Sequence, residues 1–120
     1  MLGDTVSVKS NELSSMDKIA MCQLVAHLYL LPTDQGGRQT AIKERVYRPR
    51  FYLHSVDSDC RIDELEQEKM HPGERGRVTM TLLYPERFGD ILRPGQSFEL
   101  HEGLKTVAQG TILEVVSMNP

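Results

Sequence analysis

Tryptophan is absent from this chain, and cysteine is confined to Cys22 and Cys60. Without Trp, a folded core has to be built from aliphatics, Met, Tyr and Phe. Two cysteines make no disulfide framework, and a reducing cytoplasm is the setting that composition suggests. Long hydrophobic runs are missing too. The apolar stretch from Ile19 to Leu31 is broken by Gln23 and His27 and is too short to span a bilayer. The polar lead from Lys9 to Lys18 is unlike the start of a secretory signal, so no membrane association is expected. No G-x-x-x-x-G-K-[ST] motif occurs. Without its backbone amides and lysine to hold phosphates, nucleotide binding has no structural basis, and no cofactor is expected. Basic excess is lacking as well. The formal net charge is −3, which argues weakly against nucleic acid as the main partner. Internal repeats and low-complexity tracts are absent.

What is present is the composition of one soluble domain: 120 residues, 39% apolar and 26% charged. Residues 1–17 are polar and Ser-rich and read as a loose arm, with Ser15 a candidate helix cap; residues 18–120 read as a single β-barrel domain. From Lys18 to Leu28 helical propensity competes with alternation. Leu24, Ala26, Leu28 and Leu30 interleave with Val25, His27, Tyr29 and Leu31, the pattern of a strand buried on both faces. Pro32, Asp34, Gly36 and Gly37 end that element. Arg50 to Val56 alternates as a strand, residues 57–70 read as an acidic loop, and His71-Pro72-Gly73-Glu74 is a turn signal. Arg77 to Tyr84 is the clearest strand, followed by short strands at Ser97 to His101 and Thr106 to Val116. Gly110 inside the last of these signals a bulge or a close backbone approach. Short strands between Pro/Gly turns predict an all-β fold, a small antiparallel barrel or sandwich. Leu28, Leu53, Val78, Met80, Leu82 and Val107 are its expected core.

Charge is unevenly spread. Arg38, Lys43, Arg45, Arg48 and Arg50 form a basic stretch interrupted only by Glu44; Asp57, Asp59, Asp63, Glu64, Glu66 and Glu68 form an acidic one relieved by Arg61. Tyr47, Phe51 and Tyr52 interleave with the basic stretch. One reading is an RNA surface, with guanidiniums on phosphates and rings on bases. The other is that the rings fill the core while the arginines are solvated or pair with the acidic segment. His54, Asp57 and Cys60 are regularly spaced, but spacing alone does not create a nucleophile with its base. Four scattered His and two Cys, with no C-x-x-C pair, do not make a metal site. No catalytic and no metal-binding residue is expected, and the chain reads as a binding module and not an enzyme.

Four further pieces occur in a telling order: Gly36-Gly37-Arg38-Gln39-Thr40 after Leu28-Tyr29-Leu30-Leu31; Tyr47-Arg48-Pro49-Arg50-Phe51-Tyr52; Met70-His71-Pro72-Gly73-Glu74; and Leu100-His101-Glu102-Gly103 followed by Lys105-Thr106-Val107-Ala108-Gln109-Gly110. Together they resemble the C-terminal β-barrel domain of the elongation factor Tu family, here as a stand-alone or diverged chain. The resemblance implies a closed antiparallel β-barrel of about six strands. It also implies a non-catalytic role in translation, with contacts to aminoacyl-tRNA or to a GTPase domain. Glu102 and Gly103 match tRNA-facing positions of that family. Arg50, His101 and Tyr84 stand where it usually has Gln, Arg and Lys. The resemblance makes Arg38, Arg48, Arg50, Glu102 and Gly103 the candidate RNA- or partner-binding residues. The alternative reading is a protein-interaction module or decoy that mimics the barrel, for example to neutralise a toxin.

Overall fold

The computed structural model describes residues 21–117. The expected arm at residues 1–17, with Ser15, lies outside the described residues. Six strands follow in order: β1 (Cys22–Leu30), β2 (Arg50–Leu53), β3 (Val56–Leu65), β4 (Arg75–Leu82), β5 (Ser97–Glu102) and β6 (Lys105–Ser117). Every pairing is antiparallel, and the order β1-β4-β3-β2-β5-β6 closes on itself as a barrel. The closed all-β barrel that the resemblance implies is therefore the fold. Closure removes the unpaired edges at which sheets aggregate. Among the described residues no helix is long and apolar enough to cross a membrane.

Period-two alternation builds the interior. Cys22, Leu24, Ala26, Leu28 and Leu30 point inward from β1, while His27 on the opposite face is exposed. The helix-or-strand ambiguity of this segment resolves to strand because β4 and β6 pair with it on both sides. One face only is buried, contrary to the expectation of two. All six expected core residues are buried. At the core's centre Phe51 stacks on Phe98 at 4.7 Å and meets the edge of Phe88 at 5.5 Å. Phe88 reaches in from the connection after β4, where the 3-10 turns Pro85–Arg87 and Gly89–Ile91 close one end of the barrel.

Two boundaries differ from expectation. The run from Arg50 to Val56 is not one strand: His54 and Ser55, both at positive φ (52° and 69°), form a two-residue hairpin turn between Leu53 and Val56. The acidic segment is not a loop either. Residues 56–65 form β3, whose inward side chains are Ser58, Cys60, Ile62 and Leu65. Two of those four are small and weakly apolar, so the alternation is hard to see, and carboxylates are depleted in strands generally. Here they are tolerated because they find partners, within the strand and across the sheet. Arg61 pairs with Asp63 at 2.6 Å, and the Thr81 hydroxyl donates to Asp63 at 2.5 Å.

Alternating strand direction sorts the connections to two ends. The segment 31–49, the turn 66–74 and the β5–β6 hairpin share one end, which we call the hairpin end. A bridge between Ile42 and Met70, with both residues buried, caps it. The β2–β3 turn and the Phe88 connection share the other.

Candidate functional site

The five candidate residues come from three separate segments, and the barrel brings them together near the hairpin end. The β5–β6 hairpin turns through Gly103 and Leu104, with Gly103 at φ 63°. Glycine at the first central position is what a tight turn of this hand asks for. Glu102, the last residue of β5, receives a hydrogen bond from the Tyr47 hydroxyl at 2.5 Å and an ion pair from the Arg38 guanidinium. Arg38 lies over the Tyr47 ring at 4.7 Å and also donates to the Thr40 carbonyl at 3.1 Å. One carboxylate thus ties the hairpin to both ends of the segment 38–47.

Electrostatics follow from that geometry. Burial works against a charged carboxylate at Glu102, but the Tyr47 hydroxyl and the Arg38 guanidinium outweigh it and hold Glu102 below its ordinary range. Tyr47 is pushed up, first by burial and then by its bond to the Glu102 carboxylate. It therefore stays a neutral donor at any physiological pH.

Arg50 sits on β2 opposite His101 of β5 and opposite Asp59 of β3. Its guanidinium pairs with Asp57 and with Asp59, each at 2.6 Å. Those hydrogen bonds depress Asp57 and raise Arg50. Of the three candidate arginines, Arg48 alone has no ion pair with a described residue. It projects from the chain between the buried Tyr47 and Pro49. The basic stretch is thus laid along the acidic strand. Arg45 N–H donates to the Ile62 carbonyl at 2.7 Å, and Ile62 N–H to the Tyr47 carbonyl at 3.0 Å.

Other sequence candidates are not brought together. His54 is exposed in the β2–β3 turn, Asp57 is engaged by Arg50, and Cys60 is buried, its thiol facing the Pro49 carbonyl at 3.5 Å. Burial raises the Cys60 thiol far from thiolate formation. Among the described residues no group of three His, Cys, Asp or Glu side chains could hold a metal. Tyr84, beyond β4, is at the opposite end of the barrel from Glu102 and Gly103 and carries Arg87 over its ring at 5.1 Å.

Sequence reasoning missed two features. Leu104 at the hairpin tip is fully exposed and Val46 is 73% exposed; both belong to the hairpin end, on the segments that Glu102 joins. The second is a groove on the barrel wall between Arg75, Tyr29 and Tyr52. The signal for it was the outward register of His27 and Tyr29 on one strand and of Arg75 and Arg77 on its neighbour.

A family model described as "Elongation factor Tu C-terminal domain" matches residues 18–116. That match covers most of the chain and agrees with the closed six-stranded barrel, so the chain belongs to this family.

Proposed function

We propose that this member of the elongation factor Tu C-terminal domain family is a non-catalytic docking module of the cytoplasmic translation apparatus, and that its hairpin end binds a protein. The partner is a translation GTPase or a protein that targets one, as a decoy of the barrel would require. The observation that carries this reading is the pair of exposed apolar side chains, Leu104 and Val46, beside charged groups that already satisfy one another. An apolar centre with a polar rim suits a protein interface. Phosphates would instead need free guanidiniums, and Arg38 and Arg50 are engaged by carboxylates. In this reading Arg48 supplies the one guanidinium of the three candidates without an ion pair among the described residues, and Glu102 and Gly103 shape the hairpin. No guanine nucleotide is bound by these 120 residues, because they contain no phosphate-cradling loop.

Aminoacyl-tRNA is the competing partner, favoured by Glu102 and Gly103 at matching positions and by the exposed Arg48. One experiment separates them. A gel shift with aminoacyl-tRNA is run at about 50 mM and about 200 mM salt, because phosphate-driven binding weakens by orders of magnitude over that span. In parallel, purified elongation factor Tu GTPase domain is titrated with the wild type, Leu104→Asp and Arg48→Ala. The proposal expects no tRNA complex at the lower salt and a protein complex that Leu104→Asp abolishes. A tight, salt-sensitive tRNA complex indifferent to Leu104→Asp would replace protein by RNA.

A further inference from the structure

A groove of about 720 Å³ crosses the outer wall of the barrel. Its axis is one cross-strand row. Arg75 of β4 is opposite Tyr29 of β1, Tyr29 opposite Gln109 of β6, Gln109 opposite Glu99 of β5, and Glu99 opposite Tyr52 of β2. Both tyrosines are held by stacking. The Arg75 guanidinium lies 4.1 Å from the Tyr29 ring centre, and Tyr52 stacks on His101 at 4.0 Å. Glu99, between them, accepts from His101 at 2.8 Å. The exposed Arg75 guanidinium has no carboxylate partner among the described residues, unlike Arg38, Arg50 and Arg61. Arg77, two residues on, lies outside the groove, beside Glu64 and Glu66, and its backbone N–H donates to the Glu66 carboxylate at 3.0 Å.

We propose that this groove binds a short single-stranded segment of RNA, independently of the hairpin end. A nucleobase stacks on an aromatic ring or on a guanidinium plane, so the Tyr29–Arg75 pair offers a base platform whichever member faces it. Tyr52 offers the second platform. Gln109 between them both donates and accepts hydrogen bonds and serves the edge of any base. The Arg75 guanidinium, without a carboxylate partner among the described residues, meets a phosphate. The Glu99 carboxylate repels phosphate, which sets the polarity of the row: phosphate at the β4 end, base at the β2 end. Tyr29 and Tyr52 are three strand spacings apart, on the order of 14 Å, so the groove accepts only a few nucleotides. A duplex keeps its bases stacked inside and presents none to these platforms.

The test is fluorescence anisotropy of labelled short oligouridine and oligoadenosine against the full chain, at about 50 mM and about 200 mM salt. Saturable binding is expected for both strands and not for a hairpin duplex of matching composition. Arg75→Gln should weaken binding at least tenfold and flatten the salt slope by about one unit. Tyr29→Leu should weaken it at least fivefold. Both substitutions are outside the core, and circular dichroism checks that each variant is folded. Leu104→Asp and Arg48→Ala should leave oligonucleotide affinity unchanged. Absence of saturable binding up to millimolar strand would overturn the proposal. So would equal loss in Arg48→Ala, which moves the contact to the hairpin end, or tighter binding of an acidic peptide, which makes the groove a peptide site.

Discussion

At the hairpin end Arg38 meets Glu102, and Arg50 close by meets Asp57 and Asp59; on the β4–β1 wall the Arg75 guanidinium meets no carboxylate among the described residues. The first surface holds the densest basic run of the sequence, and the second is an unremarked Arg-x-Arg. The difference teaches that linear charge density says little about available charge. The β2–β3 hairpin folds the basic segment onto the acidic one, so their fields largely cancel. β4 pairs with β3 on one side and on the other with β1, whose outward residues are His27 and Tyr29, and there the Arg75 guanidinium finds a ring in place of an anion.

The bluntest way to break this comparison is to weaken the wall that both surfaces share. Leu82 is fully buried and stands in register between Cys22 of β1 and Cys60 of β3. Leu82→Ala should cost about 2–5 kcal/mol in urea unfolding. A cost near zero would mean that the barrel is not packed as described.

A second substitution separates the two surfaces. At Gly110, a Cβ would lie 2.4 Å from the Phe98 ring and 2.9 Å from the His27 carbonyl oxygen. Phe98 cannot retreat freely, because it is stacked on Phe51. Gly110→Ala should cost about 1–3 kcal/mol, as overpacking does. It should perturb amide resonances along the groove while those of Glu102 and Gly103 stay in place. Equal perturbation at the hairpin end would show that the two surfaces are coupled.

The smallest effect sharpens the electrostatic contrast. Glu102 titrates below its ordinary value in the folded state, so its contribution to stability is complete above the unfolded carboxylate pKa, about 4.3, and fades as pH falls below it. Glu102→Gln should cost about 1 kcal/mol near neutral pH, since the group is partly exposed. The gap between variant and wild type should close as pH falls toward the folded-state value. Arg75→Gln should shift stability by no more than about 1 kcal/mol, the scale of a cation–π contact. Its shift should be the same across that range, because no carboxylate partner titrates with it. Denaturant midpoints measured from pH 7 downward check both; a gap for Glu102→Gln that does not change with pH would remove the ion pair as its cause.

Much of the architecture was legible in the chain. β4, β5 and β6 announce themselves by alternation and by Pro/Gly turns, β1 by an alternation that competed with helical propensity, and all six expected core residues are among those buried. Gly110 signalled a close approach, and Phe98 and His27 supply it. β3 was not legible, because its inward positions begin with Ser58 and Cys60 and its outward positions are mostly carboxylates, stabilised by Arg50 from β2 and by Arg61 of the strand itself. The β2–β3 turn was hidden because His54 and Ser55 occupy a left-handed pair of positions where Asn-Gly is the usual signal.

The site divides the same way. Arg38, Arg48, Arg50, Glu102 and Gly103 could be named from short segments, and their convergence follows from the barrel's connectivity. That Tyr47 is the donor to Glu102 could not, because residues 47 and 102 become neighbours only when the β5–β6 hairpin closes over the segment 38–49.

By itself, then, the sequence determined many of the inward-facing side chains, where most turns fall and that no phosphate loop is present. Those are local matters of period, backbone preference and motif. Which charges are neutralised, which rings are stacked and which guanidiniums remain open was decided by the tertiary structure alone. Electrostatic and stacking energies depend on separations of a few ångströms between residues far apart in the chain, and only closure of the barrel sets those separations.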